Sequence, residues 1–194
     1  MASFVFCIGL VGPPKVGKTG IFLRFTSDSF SENYVPTEDR YPRSRIIQSR
    51  TGHLVTLKLW EDYSELTGRR GQEHPIPYRS FHAFVIVMDL SQQDYDRGGR
   101  QYLEFIQRGF SPNDTPPLLF LVGTKCDVAL PKSYHDHLEA LEFAGHLPYF
   151  EVSSKTSLGV EDFFAVVADQ LVERELLIHP PNPTPGDPKK CVLM

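Results

Sequence analysis

The segment Gly12-Pro13-Pro14-Lys15-Val16-Gly17-Lys18-Thr19 constrains this chain more than any other. Two glycines bracket four residues and are followed by Lys and Thr, the spacing of a phosphate-binding P-loop. Glycines let the backbone wrap an anion, and the helix that follows offers N–H groups and the positive end of its dipole. Lys18 adds a point charge, and the Thr19 hydroxyl can hold Mg²⁺. An apolar run, Phe4 to Val11, precedes the motif and a helix-like stretch, Lys18 to Thr26, follows it. A chance match in a chain of this length has a likelihood of about one per cent. A turn that merely uses glycine explains neither neighbour. Pro13 and Pro14 have no N–H to donate, whereas Lys15 to Thr19 still can.

Further apolar runs recur at Leu54 to Trp60, Ala83 to Leu90, Leu118 to Val122 and Tyr149 to Val152. Continuous apolar runs that alternate with helices imply crossover units and a mostly parallel sheet covered on both faces. The expected class is α/β: a three-layer P-loop NTPase sandwich with a six-stranded, mostly parallel sheet and about five helices. Arg43 to Ser49, Thr51-Gly52 and Leu54 to Trp60 read as a hairpin, placing one antiparallel strand at the edge. Helices are expected at Lys18 to Thr26, Tyr95 to Arg108, Ser133 to Ala144 and Val160 to Ile178. The domain would occupy residues 1–178. Residues 179–194 read as a flexible tail, because five prolines, Pro180, Pro181, Pro183, Pro185 and Pro188, lie between His179 and Lys190.

With 194 residues, 41% of them hydrophobic, the chain suits one domain with a sizeable core. A net charge of -4 argues against a nucleic-acid binder, which needs a basic face to displace counterions. Cys7, Cys126 and Cys191 are too few and too scattered for a disulfide framework, which fits a cytosolic setting. Phe4 to Val11 lacks a basic leader and is too short to span a bilayer, so neither a signal peptide nor an anchor is expected there. Cys7 and Cys126 read as packing residues. The seven histidines form no ligand set: His135 and His137, two apart on the expected helix, face different ways.

Two more motifs lie at strand ends: Leu121-Val122-Gly123-Thr124-Lys125-Cys126-Asp127 and Glu151-Val152-Ser153-Ser154-Lys155. With the P-loop, they make the sequence resemble the Ras superfamily of small GTPases over the whole chain, through that family's Asn/Thr-Lys-x-Asp and Ser-Ala-Lys motifs. As in Ras, Thr19 precedes Thr37 by eighteen residues and Asp127 precedes Ser154 by twenty-seven. Thr124 and Leu57-Lys58-Leu59-Trp60 look like Rho. The interval from Asp127 to Ser154 leaves no room for the Rho insert, and the C-terminal motif speaks against Rab.

The resemblance implies a guanine-nucleotide switch binding GTP or GDP with Mg²⁺. Guanine presents two adjacent donors, N1–H and the 2-amino group, which one carboxylate accepts together, whereas adenine offers an acceptor there. The family gives that carboxylate's role to Asp127. Lys125 would lie along the base, backbone N–H groups near Ser153, Ser154 and Lys155 would meet the guanine oxygen, and Phe30 would stack on the ring edge. Gly12 through Thr19 would cradle the phosphates. In Tyr34-Val35-Pro36-Thr37, which resembles the first switch, Thr37 would contact Mg²⁺ and the terminal phosphate only in the triphosphate state, the unequal contact a switch requires. The metal set would be Thr19, Thr37 and Glu61.

The second switch departs from the family. Where Ras has Asp-x-x-Gly-Gln, this chain has Glu61-Asp62-Tyr63-Ser64-Glu65. Gly71-Gln72-Glu73 offers an alternative ending, with Gln72 in the catalytic place. The gapless version leaves the interval from Trp60 to the next strand only two residues longer than in Ras, which favours Glu65. A carboxylate cannot donate a hydrogen bond and would repel the developing phosphate charge. Weak or partner-dependent hydrolysis is therefore expected. The alternative is a catalytically defective GTP-binding scaffold, a pseudo-GTPase. A P-loop kinase for a small metabolite fits the length but explains neither Asp127 nor the tail.

Cys191-Val192-Leu193-Met194 fits the C-a-a-X prenylation signal, and a terminal Met favours farnesyl. One lipid with only Lys189-Lys190 beside it anchors marginally, so reversible residence on the cytoplasmic face of a membrane is expected. Expected partners are an exchange factor, a GTPase-activating protein and effectors, with the chain a monomer.

Overall fold

In the computed structural model, residues 3–33, 42–61, 80–111, 114–128 and 142–180 are described. The element order begins with β1 (Ser3–Val11), α1 (Lys18–Ser27), β2 (Arg43–Gln48), β3 (Leu54–Glu61) and β4 (Ala83–Asp89). It continues with α2 (Tyr95–Gly109), β5 (Leu118–Thr124), a 3₁₀ turn (Glu142–Ala144), β6 (Tyr149–Glu151) and α3 (Val160–Ile178). The six strands form one sheet in the order β2-β3-β1-β4-β5-β6. All pairings are parallel except β2 with β3, which is antiparallel and sits at the edge. The expected sheet and its hairpin edge are therefore present.

Why the apolar runs became strands is clearest in β4, where all seven residues are buried. A strand covered on both faces has no polar alternation to display. On one face, Ile21, Phe22 and Phe25 of α1 and Phe163, Phe164, Val167 and Leu171 of α3 close over Ile8, Leu57, Val85 and Phe120. On the other, Tyr102, Leu103 and Ile106 of α2 pack with Trp60, Phe81, Phe84, Ile86 and Met88. These are the three layers. Aromatic stacking sets how α1 lies against α3: the Phe25 and Phe164 rings stack at 3.9 Å between centroids. Cys7 and Cys126 are half-buried free thiols packed against the second cluster, as expected.

The described residues hold three α-helices and one 3₁₀ turn, against an expectation of about five helices. Helix ends agree with expectation to within a residue for α1, α2 and α3. Of the expected helix at Ser133 to Ala144, only the 3₁₀ turn is described, because residues 129–141 lie outside the described set. Tyr34 to Thr37, Glu65, Gln72 and residues 181–194, with Cys191, also lie outside it. No helix among the described residues is long and apolar enough to cross a membrane.

Candidate functional site

In an open parallel sheet the loops leaving the C-terminal strand ends converge where the chain reverses its winding direction. Here that point is at β1, which has β3 on one side and β4 on the other. The residues singled out in the sequence leave these ends: Gly12 after β1, Glu61 at the end of β3, Thr124 and Lys125 at the end of β5, Ser153 and Ser154 after β6.

The P-loop backbone is held in a shape that its glycines make possible. Gly12 has φ 150°, and a Cβ there would lie 2.4 Å from the Val87 carbonyl oxygen of β4. Gly17 has φ 100° and opens α1 as its N-cap. The first turn of α1 carries no acidic residue, so nothing in that turn neutralises the positive end of the dipole. Lys18 is 4% exposed, and its ammonium donates to the carbonyl oxygens of Gly12 and Pro13, each at 2.7 Å. A buried cation needs such acceptors or an anion. Pro14 and Lys15 are exposed and Val16 is buried in the first core cluster. Pro13 also touches α2: a Cβ on Gly98 would come within 2.8 Å of the Pro13 Cγ.

Thr19 Oγ1 donates to Glu61 Oε2 at 2.8 Å. Their hard oxygens are the donor type Mg²⁺ takes. No cluster of three or more His, Cys, Asp or Glu with metal-binding geometry occurs among the described residues.

The second motif is tied to the first. Thr124, 1% exposed, has its hydroxyl within hydrogen-bond distance of the Val16 carbonyl and, at 3.0 Å, of the Met88 carbonyl. Lys125 Nζ donates to the Lys15 carbonyl at 3.2 Å and to Asp89 Oδ2 at 2.6 Å. Both lysines have left-handed backbones, Lys15 at φ 67° and Lys125 at φ 58°. Such conformations in residues with a Cβ cluster where function demands them. Asp127 is exposed at the end of this segment.

The third motif joins from β6. Ser153 and Ser154 are buried, and Ser153 Oγ accepts the Thr156 N–H at 3.1 Å. Arg24 of α1 donates through Nε to the Ser154 carbonyl at 2.7 Å and pairs with Asp28. Lys155 pairs with Glu32 at 2.6 Å, close to the exposed Phe30. That hydrogen bond and the Glu32 charge, with a smaller contribution from Asp127, hold the Lys155 ammonium above its usual range, and the same hydrogen bond with the Lys155 charge holds the Glu32 carboxyl below its own.

The structure thus brings together Gly12 through Thr19, Glu61, Thr124, Lys125, Asp127, Ser153, Ser154 and Lys155. Thr37, Glu65 and Gln72 lie outside the described residues. Sequence reasoning missed Asp89, Arg24, Glu32 and Gly98. Asp89 carried a usable signal: a lone carboxylate that closes an otherwise apolar buried strand, at the end where such sites form. Arg24 and Gly98 carried none, because their partners are remote in sequence.

A glycine-containing loop between β1 and α1 at the centre of a mostly parallel sheet, with polar residues from the next strand ends beside it, defines a P-loop α/β nucleotide-binding protein. The family model for Ras matches residues 8–173, and the chain belongs to the Ras family. It is accordingly a small GTP-binding switch protein, GTP and GDP being the nucleotides that such proteins bind.

Proposed function

We propose that this protein is a Mg²⁺-dependent signalling switch whose own hydrolysis of GTP is slow or needs a partner. The observation that carries the reading is the pair of links from Thr124 to Val16 and from Lys125 to Lys15, which join the base-reading segment to the phosphate loop. One rigid unit then grips both ends of a nucleotide, so the base can report on the phosphates' position.

In this reading Lys18 and the amides from Lys15 to Thr19 receive the phosphates. Asp127 accepts N1–H and the 2-amino group of guanine, N–H groups near Ser154 donate to its oxygen, and Phe30 covers its edge. Thr19, Glu61 and, in the triphosphate state, Thr37 would hold Mg²⁺, which when bound neutralises phosphate charge. Glu61 reaches Thr19 although Asp is the family residue; the extra methylene supports its use as a metal-side oxygen. Glu65 stands in the place of the residue that orients water, with Gln72 as the alternative, and a carboxylate serves that role poorly. A lipid on Cys191 would give reversible residence on the cytoplasmic face of a membrane. Exchange factor, GTPase-activating protein and effectors would be its protein partners.

Calorimetry with GTP, GDP and ATP in Mg²⁺ tests the nucleotide, and single-turnover GTP hydrolysis tests the chemistry. Preference for guanine over adenine nucleotides with slow turnover is expected. Equal affinity for ATP defeats the base assignment, and turnover as fast as Ras defeats the reading of Glu65.

A further inference from the structure

Asp89 ends β4, directly opposite Thr124 in the β4–β5 register, so the residue after its sheet partner is Lys125. Its side chain is 7% exposed, and both carboxylate oxygens are engaged. Oδ1 accepts the Ser91 N–H at 3.0 Å and the Ser91 hydroxyl at 2.6 Å, while Oδ2 accepts the Lys125 ammonium at 2.6 Å. The same ammonium donates to the Lys15 carbonyl of the phosphate loop.

We propose that Asp89 is a positioning residue for nucleotide binding: it fixes the Lys125 ammonium against the phosphate loop before the nucleotide arrives. The inference rests on the nucleotide reading of the site and adds a residue to it. Surface ion pairs contribute little because solvent screens them and two long side chains must be ordered. This pair differs on both counts. The carboxylate is nearly buried, so its charge is poorly served by water, and Ser91 has already set its orientation with two donors. A lysine side chain ordinarily samples many rotamers, and ordering it on binding costs free energy. Here that ordering precedes binding. An ammonium has three donors, and among the described residues Lys15 and Asp89 take two, leaving one for a ribose or base oxygen. The strained backbone at Lys125 has a reason in this arrangement: φ 58° is the conformation from which its side chain meets both acceptors. A bland reading of Asp89, as the acceptor that closes the turn at Ser91, accounts for Oδ1 alone.

The test measures release of a fluorescent GDP analogue, mant-GDP, from the full chain in Mg²⁺ by stopped flow. The variants are Asp89→Asn, which keeps the size and an acceptor but removes the charge, Lys125→Met, and both together. Release should quicken about tenfold in Asp89→Asn. In the Lys125→Met background Asp89→Asn should change nothing further, an outcome that a purely structural loss at Asp89 would not give. Unchanged release in Asp89→Asn, or the same acceleration with Lys125 already gone, overturns the proposal. Should Asp89→Asn fail to fold by circular dichroism, Ser91→Ala replaces it, with release a few-fold faster; an unchanged rate there overturns the proposal equally. If the unmutated chain binds no mant-GDP, the nucleotide reading fails and takes this inference with it. If it binds and the variants match it, only the role of Asp89 falls.

Discussion

Thr19 and Glu61 meet oxygen to oxygen at 2.8 Å, although 42 residues separate them in the chain. The contact joins the first turn of α1 to the last residue of β3 beside the phosphate loop. If these two atoms serve a metal, removing Glu61 should loosen the metal more than the nucleotide's base. Nucleotide release from the unmutated chain should quicken when EDTA removes Mg²⁺. In Glu61→Ala that acceleration should shrink, with apparent Mg²⁺ affinity down by about tenfold or more. Titrating release rate against free Mg²⁺ for both proteins checks this, and superimposable curves would refute it.

Pro13 and Gly98 form a steric pair, since a Cβ on Gly98 would stand 2.8 Å from the proline ring and force one of them to move. Gly98→Ala should displace the phosphate loop and speed nucleotide release several-fold. Pro13→Ala, by removing the ring carbons, should restore slow release to the Gly98→Ala protein. Four release rates suffice as the check; additive effects of the two substitutions would show that the contact does not couple helix and loop.

His82 Nδ1 accepts the Cys7 N–H at 3.0 Å, a bond that a ring protonated on both nitrogens could not make. Burial pushes the His82 imidazole below its ordinary value of 6.5, against the opposing charge of Glu175 and with help from Arg174. A depressed folded pKa means that the unfolded chain takes up this proton first. The contribution to stability is therefore intact above the ordinary value and is lost as pH falls below it toward the folded value. His82→Gln should flatten that part of the profile. Urea midpoints from about pH 5 to 8 would measure it, and an identical slope in the variant would rule His82 out as its source.

Phe164 lies fully buried, stacked on Phe25 and in contact with Phe163 at 4.9 Å. Phe164→Ala opens a cavity between α3 and α1, and should lower the unfolding free energy by about 3–5 kcal/mol. Because α1 carries Lys18 and Thr19, nucleotide affinity should fall as well. Equilibrium urea unfolding with an unchanged slope is the check, and a loss below about 1 kcal/mol would mean that the two helices are not held by this stack.

Much of the architecture was legible beforehand because it rests on local and periodic signals. β4 is apolar throughout and hence covered on both faces; Gly12 and Gly17 sit where positive φ is required; the Thr51-Gly52 turn joins β2 to β3. Thr124, Lys125 and Asp127 were legible as a motif at a strand end, and they do lie at the end of β5 and just after it. The choice between Glu65 and Gln72 was not, because two alignments of one segment satisfy the same chain and only placement in space separates them.

From the order of its residues alone, this chain determined a parallel sheet, a glycine-wrapped loop between β1 and α1, and a carboxylate and lysine at the end of β5. Those depend on backbone freedom, periodic burial and spacing along one strand of covalent bonds. Only the tertiary structure decided that Asp89 holds Lys125, that Arg24 holds the Ser154 carbonyl, that Thr19 meets Glu61 and that Gly98 makes room for Pro13. The physical reason is range: each contact joins segments whose separation is set by strand order and register, and a few ångströms between side chains are decided by packing that no local pattern encodes.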